Sequence, residues 1–199
     1  MNKKYIFDLD GTLIDASERL YRLFQYLVPE SKLTKEEYWA LKRDKINHQM
    51  ILERYFSNYS FDDFNRKWLS LIEQPEYLNL DFLYIDTIEV LEKLSSENEL
   101  ILLTARQSKE NLYKELEKLG IKKYFSQILV TENKCTKEDL LNQISFDGQN
   151  YFVSDMGKDI AIGNKAGLRT IAITHGFMSR KRLEEYKPKN IIKKLQDLL

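Results

Sequence analysis

Five short runs of almost uninterrupted apolar residues are spread along the chain. They are Tyr5–Leu9, Leu100–Thr104, Ile128–Thr131, Tyr151–Asp155 and Thr170–Thr174. Strands that are exposed on one face alternate apolar and polar residues, whereas strands buried on both faces read as continuous apolar runs. The five runs therefore predict the strands of a sheet that is covered on both sides.

Between these runs, leucine and isoleucine recur at helical spacing, and two glycines follow where such helices should end. The apolar positions include Ile88, Leu91 and Leu94, and Gly120 and Gly167 stand at helix C-termini. Strands that alternate with helices predict an α/β fold with a doubly wound, mostly parallel, Rossmann-like sheet. In such sheets the ligand site lies beyond the carboxyl ends of the strands.

The segment between the first and second predicted strands breaks this alternation. Leu20, Phe24 and Leu27, and later Phe64 with Trp68, keep helical spacing throughout it. We predict an inserted, wholly helical cap subdomain over residues 15–84. Residues 1–14 and 85–199 then form the Rossmann-like core.

The amino-acid composition excludes several classes of protein but does not identify a partner. The 199 residues carry 31 Lys and Arg against 31 Asp and Glu, so no global field favours nucleic acid or an anionic membrane. The single cysteine, Cys135, excludes an internal disulfide, and no apolar stretch is long enough to cross a membrane. Asp8 and Asp10 interrupt the apolar N-terminal stretch before a signal peptide could form. We expect a cytoplasmic protein.

Four carboxylates follow two of the predicted strands. Asp8 and Asp10 come after the first strand, and Asp155 and Asp159 come after the fourth. Like charges gathered at one sheet edge repel one another unless a cation neutralises them, and oxygen-only ligands suit Mg²⁺. The alternative is that these residues are helix caps and solvated loop aspartates.

Four segments of the chain resemble the signature motifs of the haloacid dehalogenase superfamily. They are Asp8–Leu13 after an apolar strand, Leu102–Thr104 at the end of another, a lysine before the helix at Leu140, and Ser154–Asp159 followed by Asn164–Gly167. The position of the helical insertion is similar to that of the cap in the phosphoglycolate-phosphatase-like branch. The resemblance implies a magnesium-dependent phosphatase that hydrolyses a small phosphorylated metabolite through an aspartyl-phosphate.

The same resemblance implies roles for the four aspartates. Asp8 is expected to be the nucleophile, and Asp10 the general acid and base, with its backbone carbonyl contacting the metal. Asp155 is expected to bind Mg²⁺ directly. Asp159 is expected to support the metal or to hold the catalytic lysine.

Phosphate-binding groups are expected at the second and third motifs. Thr104 would donate its hydroxyl to a phosphoryl oxygen, helped by the backbone N–H groups of Ala105 and Arg106. The Arg106 side chain is either a substrate clamp or a solvated surface charge. Lys137 is preferred as the motif lysine, although Lys134 stands nearby.

Other functions remain open from sequence alone. A phosphomutase would use the same residues, a nucleoside monophosphate is a second substrate class, and a non-catalytic binding module is a third possibility. Seven cap residues are candidates for gripping a second anionic group of the substrate: Arg19, Arg22, Tyr26, Lys42, Arg43, Lys45 and His48. A monomer and a homodimer are equally compatible with the sequence.

Overall fold

The core of the protein is a six-stranded parallel sheet. The computed structural model describes residues 3–199, so the first two residues of the predicted core segment 1–14 lie outside it. The sheet strands are β1 (Lys4–Phe7), β4 (Glu99–Thr104), β5 (Gln127–Val130), β6 (Asn150–Ser154), β7 (Arg169–Ile173) and β8 (Asn190–Ile192). They lie in the order β5-β4-β1-β6-β7-β8, and every neighbouring pair is parallel.

Successive residues of each strand point to opposite faces of the sheet, and both faces are covered. Tyr5 and Phe7 of β1 lie in one apolar cluster, and Ile6 lies in another on the other side. The first cluster includes α6 (Thr87–Ser95) and α7 (Lys109–Lys118). The second includes α8 (Lys137–Leu141) and α9 (Gly157–Lys165). The last helix, α10 (Arg180–Glu184), packs in a smaller cluster that α9 also joins. The predicted doubly wound α/β sheet is confirmed.

Five helices lie between β1 and β4 and share their own apolar cluster. They are α1 (Ser17–Leu27), α2 (Lys35–Arg43), α3 (His48–Tyr55), α4 (Phe61–Leu71) and α5 (Pro75–Leu78). These five helices are called the cap below, and the rest of the described chain is called the core. Phe24, Tyr38 and Phe64 lie at the centre of this cluster. Thr34, Asn47 and Ser60 accept backbone N–H bonds at three helix N-termini, which fixes where these helices begin.

The chain passes from the core into the cap and later back again, and the two connecting segments pair as a short antiparallel ribbon. Its strands are β2 (Ile14–Asp15) and β3 (Phe82–Leu83), with Ile14 paired to Leu83. The expectation that residues 15–84 are wholly helical is therefore wrong at both ends. Strands of two residues are too short to leave a periodic signal in the sequence. The edge strand β8 was also not predicted.

The helix-ending glycines behave as their positions predicted. Gly120 and Gly167 have φ of +72° and +75°, a left-handed conformation that favours glycine. Within residues 3–199, no helix is both long and apolar enough to cross a membrane.

Candidate active site

The carboxyl ends of the three central strands bring the motif residues to one edge of the sheet. Asp8 directly follows β1, and its N–H donates to the Val153 carbonyl of β6 at 3.0 Å. Thr104 is the last residue of β4, and Asp155 directly follows β6. All three of these residues are buried.

Lys137 lies between two of the predicted aspartates. It is the first residue of α8, and its Nζ donates to Asp8 Oδ1 and to Asp159 Oδ2, each at 2.6 Å. Lys134, the alternative motif lysine, is 76% exposed at its side chain and pairs with Glu132. The structure thus places Lys137, and not Lys134, at the site.

Burial and charge set the protonation of this group. Burial raises the pKa of Asp8 to about 6, Lys137 offsets part of that rise, and Asp159 adds to it. Burial on its own would lower the pKa of Lys137, but Asp159 and Asp8 outweigh it and raise that pKa. Ser154, where many members of the resembled family carry glycine, donates its hydroxyl to Asp159 Oδ2 at 2.8 Å. Asp159 is therefore held by a serine and a lysine.

Asp155 is fixed by the loops on either side of it. Its Oδ1 accepts from the Thr12 hydroxyl at 3.2 Å, and its Oδ2 accepts from the Phe177 N–H at 2.5 Å. Gly11 has φ of +81°, and a Cβ there would lie 2.2 Å from Asp155 Oδ2. A Cβ on Gly176 would lie 2.2 Å from the same oxygen. Only glycine fits at either position.

The donor chemistry of this edge suits a hard divalent cation, with fewer side-chain ligands than the sequence suggested. Burial and the Asp8 charge raise the pKa of Asp155 well above its usual range, and a bound cation would relieve that repulsion. The carboxylates of Asp8 and Asp155 and the Asp10 carbonyl offer oxygen ligands only. Over residues 3–199, however, no group of three or more acidic, histidine or cysteine side chains has the arrangement needed to hold a metal ion. The Asp159 carboxylate is taken by Lys137 and Ser154.

The Asp10 carboxylate is paired with two arginines. Arg106 donates to it at 2.7 and 2.8 Å, and Arg19 of α1 also pairs with it. Burial would raise the pKa of Asp10, but Arg106 and Arg19 outweigh burial and lower that pKa to about 2. In this arrangement Asp10 is ionised and its side chain is not a metal ligand.

The same two arginines bind two further carboxylates, and together they form a buried five-residue ion cluster. Arg19 and Arg106 pair with Asp81 at 3.1 and 3.3 Å, and Arg106 also pairs with Glu115 at 3.2 Å. Burial, together with Asp10 and Glu115, raises the pKa of Asp81 to about 8 even though Arg19 and Arg106 oppose it. Two cations thus face three carboxyl groups, and one carboxyl keeps its proton at neutral pH.

This cluster excludes one of the two interpretations of the Arg106 side chain. The arginine is only 4% exposed, so the solvated-charge alternative is wrong: its carboxylate partners come from the core and from the cap crossing. Its backbone and that of Ala105 stay available, because no acceptor within residues 3–199 takes either N–H. Thr104 is buried, and its carbonyl accepts from the Thr131 N–H at 3.1 Å.

Sequence reasoning missed the acidic residues that dock the cap. Glu73 accepts the N–H groups of Gln107 and Ser108 at 2.7 and 2.8 Å, just before α7. Glu115 did leave a signal, since it lies on the apolar face of α7 beside Leu116. Glu73 and Asp81 left none, because their partners come from distant parts of the chain.

Comparison with known proteins identifies the family to which this chain belongs. The family model for haloacid dehalogenase-like hydrolases matches residues 5–173. Pyrophosphatase PpaX of Oceanobacillus iheyensis is 24% identical, with 98% of this chain and 94% of that protein aligned. PpaX of Bacillus mycoides is 25% identical over the same shares of the two chains.

Solved structures share the fold over the whole chain. A haloacid dehalogenase-like family hydrolase from Streptococcus pneumoniae superimposes with a TM-score of 0.80 and 23% identity, covering 99% of this chain and 96% of that one. A predicted phosphoglycolate phosphatase from Haemophilus somnus gives a TM-score of 0.78 and 20% identity over 99% and 96% of the two chains. Both likenesses concern the fold.

Proposed function

Because the chain belongs to the haloacid dehalogenase-like hydrolase family, we propose that it is a phosphatase acting on a small phosphorylated metabolite through an aspartyl-phosphate on Asp8. The observation that carries this proposal is the contact of Lys137 with both Asp8 and Asp159, beside the buried Asp155. The names of the similar proteins, a pyrophosphatase and a phosphoglycolate phosphatase, support a phosphate ester or anhydride as substrate.

The residues of the site have different proposed roles in the first step, the transfer of the phosphoryl group to Asp8. Lys137 holds Asp8 Oδ1, and no group within residues 3–199 donates to Asp8 Oδ2. The proposed nucleophile is therefore Oδ2, which attacks phosphorus in line with the leaving oxygen. Charge on the transferred phosphoryl group is proposed to be stabilised by the hydroxyl of Thr104, the N–H groups of Ala105 and Arg106, and the Lys137 ammonium.

We propose Mg²⁺ as the cation for this site, held by the Asp8 and Asp155 carboxylates and the Asp10 carbonyl. When bound, it neutralises charge between the nucleophile and the phosphate. Thr12 and Phe177 hold Asp155 in place for that role. Asp159 is proposed to orient Lys137, and not to bind the cation.

Asp10 is the proposed general acid and base, and its ion pairs set a condition on that role. A carboxylate with a pKa of about 2 is ionised at neutral pH, so it can accept a proton from water but cannot protonate a leaving oxygen. We therefore propose that Asp10 takes up the proton that Asp81 holds at neutral pH, and leaves Arg19 and Arg106, before it protonates the leaving oxygen. Ionised Asp10 then activates the water that hydrolyses the aspartyl-phosphate.

The decisive experiment measures phosphate release from pyrophosphate, 2-phosphoglycolate, a nucleoside monophosphate and phenyl phosphate. Each is assayed with Mg²⁺ and with chelator, for the native chain and for Asp8→Asn. We expect Mg²⁺-dependent release that Asp8→Asn reduces by at least about 10³-fold, because the covalent step is lost. Glu53→Gln, on an exposed cap helix, serves as a control that keeps full activity.

Two outcomes would contradict the proposal. Normal turnover by Asp8→Asn would remove Asp8 as nucleophile. Isomerisation of a sugar phosphate without phosphate release would instead identify a phosphomutase.

We also propose that the protein acts in the cytoplasm, on a small molecule and not on nucleic acid, as its balanced charge supports.

A further inference from the structure

The structure removes most of the cap residues that the sequence offers for recognition of the substrate. Arg19 is committed to the ion cluster with Asp10 and Asp81. Arg43, at the end of α2, donates to the backbone carbonyls of Thr174 and Gly176 in the core. Neither arginine keeps its guanidinium available for a ligand.

Three more candidates are engaged elsewhere or lie at the surface. Arg22 is exposed and pairs with Glu18 one turn away on the same helix. Tyr26 is 67% exposed. Lys45 pairs with Glu185 of the core.

Lys42 is different, because it is partly buried and has no carboxylate partner among residues 3–199. Burial lowers the pKa of Lys42 to about 8, and no neighbouring acid counters that effect. The Lys42 charge also acts on His48, whose pKa is lowered by burial and lowered further by the lysine. The Tyr38 hydroxyl is hydrogen-bonded to the His48 ring at 2.8 Å. Desolvating an ammonium group without an anion is costly, so a ligand that supplies the anion would be bound favourably.

Lys42 lines a cavity of about 410 Å³ between cap and core. Within the described chain, its lining contains no carboxylate and includes Lys42 and Lys158, besides Lys45, whose charge is matched by Glu185. Trp68, from the cap, and Phe177, from the core, give it aromatic walls. The cavity is therefore positively charged and open to a small anionic group.

This cavity adjoins the reaction centre. A second cavity, lined by Lys137 and Asp159, shares Met156 and Lys158 with the first. Phe177 of the Lys42 cavity donates its N–H to Asp155. The Lys42 cavity therefore borders the residues proposed to bind the phosphoryl group, and a leaving group that enters this cavity would meet Lys42.

Resting on the phosphatase function above, we propose that Lys42 determines substrate specificity by binding a second anionic group carried by the leaving group. The substrate class is then a phosphoanhydride or a small phosphate ester that bears a carboxylate. These two share a compact anion next to the scissile bond, and an ester with a neutral leaving group lacks it. A cation of this kind contributes binding energy that the neutral ester cannot use.

The test compares three substrates in the native protein, Lys42→Met, Lys42→Arg and the surface control Arg22→Met. For pyrophosphate and 2-phosphoglycolate, we expect Lys42→Met to raise KM by about 10- to 100-fold, the loss expected for one charge-assisted hydrogen bond. For phenyl phosphate, KM should change less than about twofold. Lys42→Arg should restore most of the affinity, and Arg22→Met should behave like the native protein.

The pattern across substrates identifies the source of the anion. A KM effect confined to pyrophosphate supports a phosphoanhydride, and one confined to 2-phosphoglycolate supports a carboxylated ester. Equal losses on all three substrates, or no loss on any, would overturn the proposal. Thermal unfolding of Lys42→Met at no lower temperature than the native protein shows that the effect is not one of folding.

A binding measurement separates this inference from the proposed function. Calorimetry with imidodiphosphate and with methylphosphonate, both in the presence of Mg²⁺, requires no turnover. We expect imidodiphosphate to bind the native protein at least about tenfold more tightly than methylphosphonate, and Lys42→Met to abolish that difference. Absence of phosphate release from every compound would refute the phosphatase. A preference for imidodiphosphate that persists in Lys42→Met would refute the role of Lys42.

Discussion

Replacing Arg106 by methionine should destabilise the protein strongly, because it removes one of the two cations from the buried ion cluster. Arg106 makes two hydrogen bonds to Asp10 and contacts Asp81 and Glu115, with 4% of its surface exposed. Methionine fills much of the same space but leaves three carboxyl groups facing Arg19 alone. Removing one partner from a buried ion pair costs about 3–5 kcal/mol. We expect a loss of that size in the free energy of unfolding at pH 7.5.

The pH dependence of this loss follows from the shifts in pKa. Asp10 has its pKa lowered to about 2 in the native protein, so its pairing adds stability above the unfolded value near 4 and loses it as the pH falls toward 2. In Arg106→Met the pKa of Asp10 should rise, because burial then outweighs Arg19 alone, so this variant should lose stability relative to the native protein as the pH rises. The loss should therefore be smaller at pH 5 than at pH 7.5, by at least about 1 kcal/mol.

The assay is urea unfolding followed by circular dichroism at both pH values. The control is Arg66→Met, since Arg66 is 75% exposed at its side chain and pairs with exposed Asp63, so its removal should cost less than about 0.5 kcal/mol. Adding Glu115→Gln to Arg106→Met should restore about 1–2 kcal/mol, because Arg106 is the cation that Glu115 contacts among residues 3–199. A loss below about 1 kcal/mol at pH 7.5, or an equal loss at the two pH values, would refute this account of the cluster.

Two further predictions concern the reaction centre. Gly11→Ala should lower stability by about 2–5 kcal/mol and abolish activity, because its Cβ would lie 2.2 Å from Asp155 Oδ2 at a φ of +81°. Gly120→Ala, with φ of +72° and nothing within 4 Å, should cost only about 1 kcal/mol in the same unfolding assay, and equal costs would contradict the steric argument. Lys137→Met should reduce kcat by about 10²–10³-fold in the phosphate-release assay, since the transferred charge loses its cation. Lys134→Met, at an exposed position, should change kcat less than about twofold, and a larger effect there than at Lys137 would reverse the assignment.

The parts of the site that follow strands could be predicted from the sequence, because strand ends are local features. The apolar run before Asp8 and the run before Asp155 each predict a buried strand, and parallel strands bring their carboxyl ends to one edge. The pairing of Lys137 with Asp8 also agrees with the motif spacing. These contacts need only the order of the sheet and no detail of side-chain packing.

The orientation of the Asp10 carboxylate could not be predicted in the same way. Alternation along a strand places residues 8 and 10 on one side, but the chain leaves the strand at Phe7 and turns at Gly11. The direction of Asp10 is then set by Arg19 and Arg106, which lie on a cap helix and in a core loop. Such partners depend on how the cap docks, and no local pattern records that.

Charge balance within the ion cluster explains how Asp10 can serve in two places. With Asp10 present, two arginines face three carboxyl groups, and the raised pKa of Asp81, about 8, keeps one proton in the cluster at neutral pH. In the proposed step, Asp10 takes the proton of Asp81 and turns toward Asp8, so Arg19 and Arg106 then face the ionised Asp81 and Glu115, one cation for each carboxylate. The departure of Asp10 therefore leaves no unpaired buried arginine, so the ion pairs that hold Asp10 in this structure are no barrier of the kind that an isolated buried salt bridge would present.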